Sequence, residues 1–186
     1  LYGIPEEQYH GDDEMFDLVH QMRTRIITSP SFTSDHILAA ILFEKTMDRK
    51  IEGLYSADFL WEQKGILPIL KVDKGLADQK DDVQIMKPIP QFDDLMKRAQ
   101  ARNIFATKMR SVIHEANHEG IADIIAQQFE IGHKIIDAGF VPILEPEVDI
   151  KSESKADCET ILKEEVKKHL AKLSTKDLLM FKLTLP

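Results

Sequence analysis

Short apolar runs alternate along this chain with longer segments in which apolar residues recur every three or four positions. The apolar runs cover 37–43, 66–70, 104–107, 141–144 and 178–186. Their length is typical of buried strands, and the stripes between them are typical of amphipathic helices. The pattern therefore predicts one helix followed by five strands, with helices between the strands.

Capping and stop residues set the expected bounds of the helices. We expect a first helix that begins at Asp12 or Asp13 and ends before Pro30, and a short one that Ser56 caps and Gly65 stops. Two more are expected over Gln91–Arg102 and over Glu119–Ala138, the latter stopped by Gly139, and a last one begins at Ser152 or Ser154. Residues 74–90 form the longest irregular connection in this prediction. Long connections of this kind are usually functional or mobile.

Charged residues recur at a fixed interval, directly after three of these apolar runs and inside the last one. Lys71, Lys108, Glu145 and Lys182 follow one another in steps of 37 residues. A step of that length accommodates one strand, one helix and two loops, which make a βα unit. After the first three of them a second charged residue follows two positions later, and the period of two in a strand places both side chains on one face.

Alternation of strands and helices predicts an α/β fold with a parallel sheet. An open doubly wound sheet and a (β/α)8 barrel both fit, but a Gly-rich phosphate turn between strand and helix is missing, which weakens the first. Charged side chains at successive carboxyl ends of strands favour the mouth of a barrel. A complete barrel needs about 250 residues. We therefore expect residues 1–186 to form a single incomplete barrel domain of about five βα units, strands two to six.

Composition narrows the class of protein. The chain is 43% hydrophobic with a formal charge of −8, which argues against a nucleic-acid binder. The longest purely apolar run is far short of the ~20 residues of a membrane span, and residues 1–7 lack the features of a signal peptide. Cys158 is the single cysteine, which fits a reducing compartment. We expect a cytoplasmic protein without membrane or nucleic-acid partners.

The last apolar run contains Lys182, the strongest candidate for a reactive residue in this sequence. Lys182 stands inside a stretch that looks buried on both faces, where an unpaired ammonium costs several kcal/mol. We expect this amine to be paired or neutral, and a neutral lysine is a nucleophile that forms a Schiff base with a ketone. Glu145, one strand earlier, is placed to move protons during that reaction, and Lys108 supplies a second cation.

The remaining charged residues of the series are candidates for binding and orientation. Glu147 is expected to pair with Lys108, and Arg110 and Lys71 are expected to hold phosphate or other oxyanion groups. A cationic pocket in an acidic protein indicates a small anionic substrate.

Several segments, taken in order, resemble class I fructose-1,6-bisphosphate aldolase, in particular its short bacterial branch. They are Met22–Pro30, Ala40–Met47, Leu70–Gly75, Met86–Pro90, Ala106–Arg110, Val141–Glu147 and Phe181–Pro186. The resemblance implies a (β/α)8 lyase, independent of metal and cofactor, that cleaves fructose 1,6-bisphosphate to dihydroxyacetone phosphate and glyceraldehyde 3-phosphate in glycolysis and gluconeogenesis.

The resemblance also implies roles for individual residues. Lys182 corresponds to the Schiff-base lysine and Glu145 to the proton shuttle. Lys108 and Arg110 correspond to residues at the substrate, with Lys71 and Glu147 in support.

Two family features have no counterpart here. The aspartate of an Ala-Leu-Asp-Gln-Ser-like first strand and the phosphate-binding loops after the Schiff-base strand are absent from residues 1–186. We therefore expect a fragment that is inactive by itself, since cleavage needs that base and those phosphate contacts.

Other interpretations remain open at this stage. A transaldolase or a deoxyribose-phosphate type of aldolase shares the amine chemistry with a different sugar phosphate. A non-catalytic fragment would expose sheet edges and associate with itself, and a homo-oligomer is expected in either case. The segment His114–His118 satisfies the H-E-x-x-H zinc pattern, but Asn117 and Gly120 disfavour the helix that this pattern requires, so we expect no metal there.

Overall fold

A computed structural model describes residue 5 and residues 9–185 of the chain. The chain divides into two compact units. The first extends to Leu70 and includes Ala99–Ile104, and the second comprises Lys71–Arg98 and the residues from Phe105 onward. Every residue proposed for the chemistry above belongs to the second unit.

The first unit combines helices with short strands. Its elements are α1 (Asp12–Thr28), β1 (Ala39–Phe43), α2 (Glu44–Met47), β2 (Lys50–Ile51), β3 (Leu54–Tyr55), α3 (Ser56–Lys64) and β4 (Leu67–Lys71), of which the last residue already belongs to the second unit. Strands β1 and β4 are neighbours in a sheet, and β2 pairs antiparallel with β3. Gly65 ends α3 with a φ of 65°, a conformation that glycine adopts without strain.

The second unit contains the longest strands and helices. Its elements are β5 (Val83–Gln84), α4 (Phe92–Gln100), β6 (Ala106–Ile113), α5 (His118–Asp137), β7 (Val141–Val148), α6 (Lys155–Leu170) and β8 (Met180–Phe181), with the last two residues of α4 in the first unit. Strand β7 lies between β6 and β8 and runs parallel to both. Strand β5 pairs antiparallel with β6.

Helix α5 supplies much of the core of this unit. Ile121, Ile124, Ile125, Phe129 and Ile135 recur at helical spacing and are buried. This stripe packs on β6 and β7, so the two parallel strands have an apolar layer on one face and are free to carry charged groups on the other.

The expected fold class is confirmed: the chain is α/β, with parallel strands joined by helices as in part of a (β/α)8 barrel. The five predicted strands correspond to β1, β4, β6, β7 and β8, and every predicted helix is present within a few residues. Two short pairings were not predicted. They are the β2–β3 hairpin and strand β5, which lies inside the connection expected to be irregular over 74–90.

The expected positions of the charged residues along the strands were wrong in two cases. Lys108 and Arg110 lie in the middle of β6, and Glu145 and Glu147 lie within β7, so these strands continue past the charges. They continue because residues 106–113 pair with 141–148 throughout, and this pairing fixes the strand length regardless of the charges.

The last strand also differs from the prediction. Only Met180 and Phe181 are paired as strand, and Leu178, Leu183 and Leu185 are exposed rather than buried. Pro186 lies outside the described residues. An apolar run predicts a buried strand only where other layers cover both of its faces, and these three leucines are not covered. Within the described part of the chain, no helix is both long and apolar enough to cross a membrane.

Candidate active site

Three neighbouring parallel strands bring one carboxylate between two amines. Glu145 on β7 accepts hydrogen bonds from Lys108 on β6 and from Lys182, which directly follows β8. The Lys108 Nζ to Glu145 Oε2 distance is 2.5 Å, and Lys182 Nζ contacts the other oxygen, Oε1. The expected position of Glu145 between the two lysines is therefore observed.

The three side chains differ sharply in exposure. The side chain of Lys108 is 9% exposed and that of Glu145 is 4% exposed, whereas that of Lys182 is 55% exposed. A buried carboxylate needs a charged partner, and Lys108 provides one that is equally buried. Lys182 is paired, as expected, but it reaches solvent, so the burial expected for it is wrong.

The main chain fixes the relative heights of these residues. Ile143 is in register with Met180 and Leu144 with Phe181, and the Lys182 N–H donates to the Leu144 carbonyl at 2.9 Å. Lys182 thus follows the ladder at the level of Glu145. Side chains at the same level on adjacent parallel strands project from the same face, which accounts for the contact between them.

A second row of residues runs beside the first, two positions further along each strand. Glu147 lies 3.4 Å from Arg110 (Oε2 to NH1), and the Arg110 main-chain N–H donates to Asp73 at 3.3 Å. Both of these pairs are again 37 residues apart in sequence. The expected pairing of Glu147 with Lys108 is wrong, because Lys108 bonds Glu145 on the adjacent strand.

Asp73 begins this second row, and Lys71, which stands 37 residues before Lys108, pairs with it. Lys71 Nζ donates to Asp73 Oδ1, and the same carboxylate oxygen accepts from the Gly75 N–H at 3.3 Å. The side chain of Asp73 is nearly inaccessible to solvent, whereas Arg110 and Glu147 are partly exposed. Arg110 thus stands beside the carboxylate of Glu147, and Lys71 beside that of Asp73. To bind an oxyanion, each cation would give up its bond to the carboxylate or donate to both groups.

Sequence reasoning gave Asp73 no role, although a usable signal was present. Asp73 stands two positions after Lys71 and 37 before Arg110, so it follows the same interval as the assigned residues. Its burial and its contacts with three groups result from tertiary structure, which one sequence does not reveal.

The segment with the zinc-like pattern has a structural role. Glu115 accepts hydrogen bonds from the Ser154 hydroxyl, from the Ser152 hydroxyl at 3.0 Å and from two main-chain N–H groups of the same loop. The bonds from Ser154 and Ser152 lower the pKa of Glu115 below its usual value. This carboxylate therefore ties the end of β6 to the start of α6.

The two histidines of that segment do not stand on one helix. His114 lies before α5 and bonds Gln84 (Nε2 to Oε1, 2.9 Å), whereas His118 is the first residue of α5. Asn117 caps the helix by accepting the Gly120 N–H at 3.0 Å. Across residues 9–185, no three His, Cys, Asp or Glu side chains converge as a metal site requires.

The arrangement has the parts needed for amine chemistry. An accessible amine touches a carboxylate that is buried and held from the other side by a second amine, and the cationic side chain of Arg110 lies two residues beyond that second amine.

Comparison with known families gives a match over most of the chain. The family model for fructose-bisphosphate aldolase class-I matches residues 17–185. This range contains every residue of the two rows described above.

Solved structures give weaker likenesses. A fructose-bisphosphate aldolase from Plasmodium falciparum, in a complex with TRAP and a small-molecule inhibitor, is 18% identical with a TM-score of 0.45. This alignment covers 86% of the present chain and 62% of that one. The arginine decarboxylase of Paramecium bursaria Chlorella virus bound to agmatine is 14% identical with a TM-score of 0.38, over 63% of this chain and 33% of that one. The present chain thus spans less than two thirds of either structure.

Proposed function

This chain belongs to the class I fructose-bisphosphate aldolase family, and from that premise we propose that it carries the Schiff-base site of a fructose-1,6-bisphosphate aldolase. The reaction is the reversible, metal-independent cleavage of that sugar to dihydroxyacetone phosphate and glyceraldehyde 3-phosphate. The observation that carries the proposal is the contact of accessible Lys182 with buried Glu145.

Lys182 acts as the nucleophile. The ammonium of Lys182 first passes a proton to Glu145, and the neutral amine then forms a bond to C2 of the ketose as the C=O π bond opens. A proton moves from the attacking nitrogen to the former carbonyl oxygen, which gives a neutral carbinolamine. Glu145, in its acid form, then donates a proton to the C2 hydroxyl, which leaves as water. The nitrogen lone pair forms the C=N bond of the iminium ion, and the carboxylate of Glu145 remains beside Lys108.

Cleavage uses the iminium ion as an electron acceptor. A general base takes the proton of the C4 hydroxyl, the C3–C4 bond breaks, and its electron pair enters the C=N system to give an enamine and the free aldehyde. The enamine is protonated at C3, and water then releases dihydroxyacetone phosphate from Lys182. The family's first-strand aspartate, the candidate for this base, has no counterpart in residues 1–186, so we keep the prediction that the chain alone is inactive.

Lys108 holds the carboxylate of Glu145 in position after Glu145 has given up its proton, because it bonds the oxygen that Lys182 does not contact. Arg110 and Lys71 are the proposed contacts for phosphate or hydroxyl oxygens, each exchanging or sharing a carboxylate neighbour. Glu147 and Asp73 hold these cations in position when substrate is absent. A guanidinium suits phosphate because it donates two parallel hydrogen bonds.

The test is a cleavage assay of the native protein that contains this sequence, with a metal chelator present. We expect release of triose phosphate from fructose 1,6-bisphosphate that is insensitive to the chelator. Loss of activity on chelation would contradict the proposal.

The substrate distinguishes the proposed aldolase from other enzymes that use the same amine chemistry. We propose a small phosphorylated sugar as the only partner needed for turnover, in a cytoplasmic homo-oligomer. Transfer of a dihydroxyacetone unit between sugar phosphates, or cleavage of deoxyribose 5-phosphate, faster than cleavage of fructose 1,6-bisphosphate would assign the site to a transaldolase or deoxyribose-phosphate type of aldolase instead.

A further inference from the structure

Lys182 lies in a segment that burial does not hold in place. Strand β8 has two paired residues, and Leu183 and Leu185 on the far side of the lysine are exposed. By contrast, Glu145 and Lys108 lie in strands of eight residues that pair along their full length. Before the lysine, Phe181 packs on Phe129, with 6.2 Å between the ring centroids, but after the lysine contacts other than hydrophobic packing must hold the segment against β7.

Thr184 makes the contact that follows the lysine. Its Oγ1 donates to the Val148 carbonyl at 2.9 Å and accepts from the Val148 N–H at 3.1 Å. One hydroxyl thus satisfies both main-chain groups of the last residue of β7, where the main-chain ladder with β8 has already ended. The side chain continues the attachment of this segment to β7.

The position of Thr184 matches the second row of the site. Asp73, Arg110 and Glu147 are 37 residues apart, and Thr184 stands 37 residues after Glu147. Its three predecessors are charged, whereas threonine is neutral and short enough to reach the neighbouring main chain. The row therefore ends in an anchor rather than in another ionic group.

Lys182 is held between two attachments. On one side its own N–H donates to the Leu144 carbonyl at 2.9 Å, and on the other side Thr184 bonds Val148. The two attachments flank Glu145 on β7, so together they fix the distance from the Lys182 backbone to the carboxylate.

We propose that Thr184 is a positioning residue that holds the Lys182 amine against Glu145 and so sets the rate of Schiff-base formation. The effect on rate rests on the proposed function. Without the hydroxyl, residues 183–185 keep no described bond to β7, and the amine spends less time at proton-transfer distance. Substrate affinity changes little, because Arg110 and Lys71 are attached elsewhere.

The decisive variants are Thr184→Val, which keeps the shape and removes the hydroxyl, and Thr184→Ser, which keeps the hydroxyl. Thr160→Val is the matched control, since the Thr160 hydroxyl is exposed and bonds only its own helix at Ala156. Hydrogen exchange of the 186-residue chain measures the attachment without any need for activity. Stopped-flow turnover of the native protein measures the consequence.

In Thr184→Val we expect the amides of Val148 and Lys182 to exchange at least about fivefold faster. We expect kcat to fall about tenfold with KM within about twofold, since small misplacements of a reacting group lower kcat strongly. Thr184→Ser should restore most of both quantities, and Thr160→Val should change neither.

Unchanged exchange at Lys182 in Thr184→Val would overturn the proposal, whatever the activity. A fall in kcat that Thr184→Ser does not restore, or a change in KM alone, would also overturn it. If the native protein forms no Schiff base on Lys182 while exchange accelerates as expected, the anchor stands and the proposed function fails.

Discussion

Two differently built regions carry the charged cluster of Lys108, Glu145 and Lys182. One region is the strand pair β6 and β7, and the other is the β8 segment. The first two strands pair along eight residues, hold Lys108 and Glu145 in the interior and are covered by α5. The β8 segment has two paired residues and presents a half-exposed lysine. One lysine of the cluster is therefore buried in the strand pair β6–β7, which we call the platform. The other lies on the β8 segment, which has few attachments and which we call the edge.

The difference assigns separate tasks to the two regions. A carboxylate that shuttles protons has to keep one position and one partner, and a buried ion pair in a long strand pair provides both. An amine that attacks a sugar has to be reached from solvent and change its bonding during the reaction. We therefore expect substitutions in the platform to change stability and activity together, and substitutions at the edge to change activity alone.

The largest expected effect is on the edge. In Lys182→Met the native protein should lose at least about a thousandfold in kcat, because no other amine contacts the accessible oxygen of Glu145 among residues 9–185. The free energy of unfolding, from urea titration, should change by less than about 1 kcal/mol, as is usual for a partly exposed side chain.

Lys108→Met is the matched control for that variant. It removes a lysine of the same cluster from the interior, so it should destabilise the chain more than Lys182→Met does. Equal losses of stability in the two variants would remove the distinction between platform and edge.

Glu145→Gln should have the next largest effect and should act on both properties. Loss of the shuttle should lower kcat by about a hundredfold or more. The buried ammonium of Lys108 then lacks its counter-charge, which costs about 3 kcal/mol in the free energy of unfolding. Kinetics and chemical denaturation of the same variant measure the two quantities, and a normal kcat would exclude Glu145 as the shuttle.

The pH dependence of stability tests the connection that Glu115 makes between the end of β6, in the platform, and the start of α6. Because the pKa of Glu115 is lowered in the folded state, chiefly by the Ser154 hydroxyl, its contribution is fully present above the ordinary glutamate pKa of about 4.3 and is lost as the pH falls through the lower folded value. Glu115→Gln should therefore be less stable than wild type at pH 7.

The two proteins should converge in stability as the medium becomes acidic enough to protonate Glu115. Thermal unfolding between neutral and strongly acidic pH measures the difference in stability between the two proteins. Glu130→Gln removes an exposed carboxylate that pairs with Lys134 on the same helix, and it serves for comparison. A difference between wild type and Glu115→Gln that persists unchanged in acid would show that charge has no part in the connection.

The smallest effect is expected for the exposed ion pair of the second row. Glu147→Gln should change the free energy of unfolding by at most about 1 kcal/mol, because the contact with Arg110 is long and partly screened by solvent. A larger loss, comparable to that of Glu145→Gln, would mean that the buried platform extends to Glu147.

The interval of 37 residues made the core of the site predictable. It gave the parallel strands and the meeting of Lys108, Glu145 and Lys182. Glu145 and Lys182 follow paired residues at one level, and Lys108 lies two positions from the register partner of Glu145, so all three side chains share a face. The bounds of α3 and the end of α5 followed from capping and stop residues, which act locally.

Features that depend on distant partners escaped prediction. The full length of β6 and β7 results from their mutual pairing, and the exposure of Leu183 depends on what covers it rather than on its own hydrophobicity. The pairing of Glu147 was assigned wrongly because Glu145 and Glu147 lie on one face of the same strand and face similar cations. Lys108 bonds Glu145 and Arg110 bonds Glu147. The structural role of Glu115, which bonds the loop before α6, was not predicted, because the H-E-x-x-H pattern drew attention to zinc binding instead.

The most direct test of the central claim is to trap the Schiff base chemically. The native protein is treated with dihydroxyacetone phosphate and borohydride, and the modified peptide is mapped by mass spectrometry. We predict one adduct, on Lys182, that forms more slowly in Glu145→Gln and is absent from Lys182→Met. An adduct on Lys108, Lys71 or any other lysine, with Lys182 unmodified, would contradict the account.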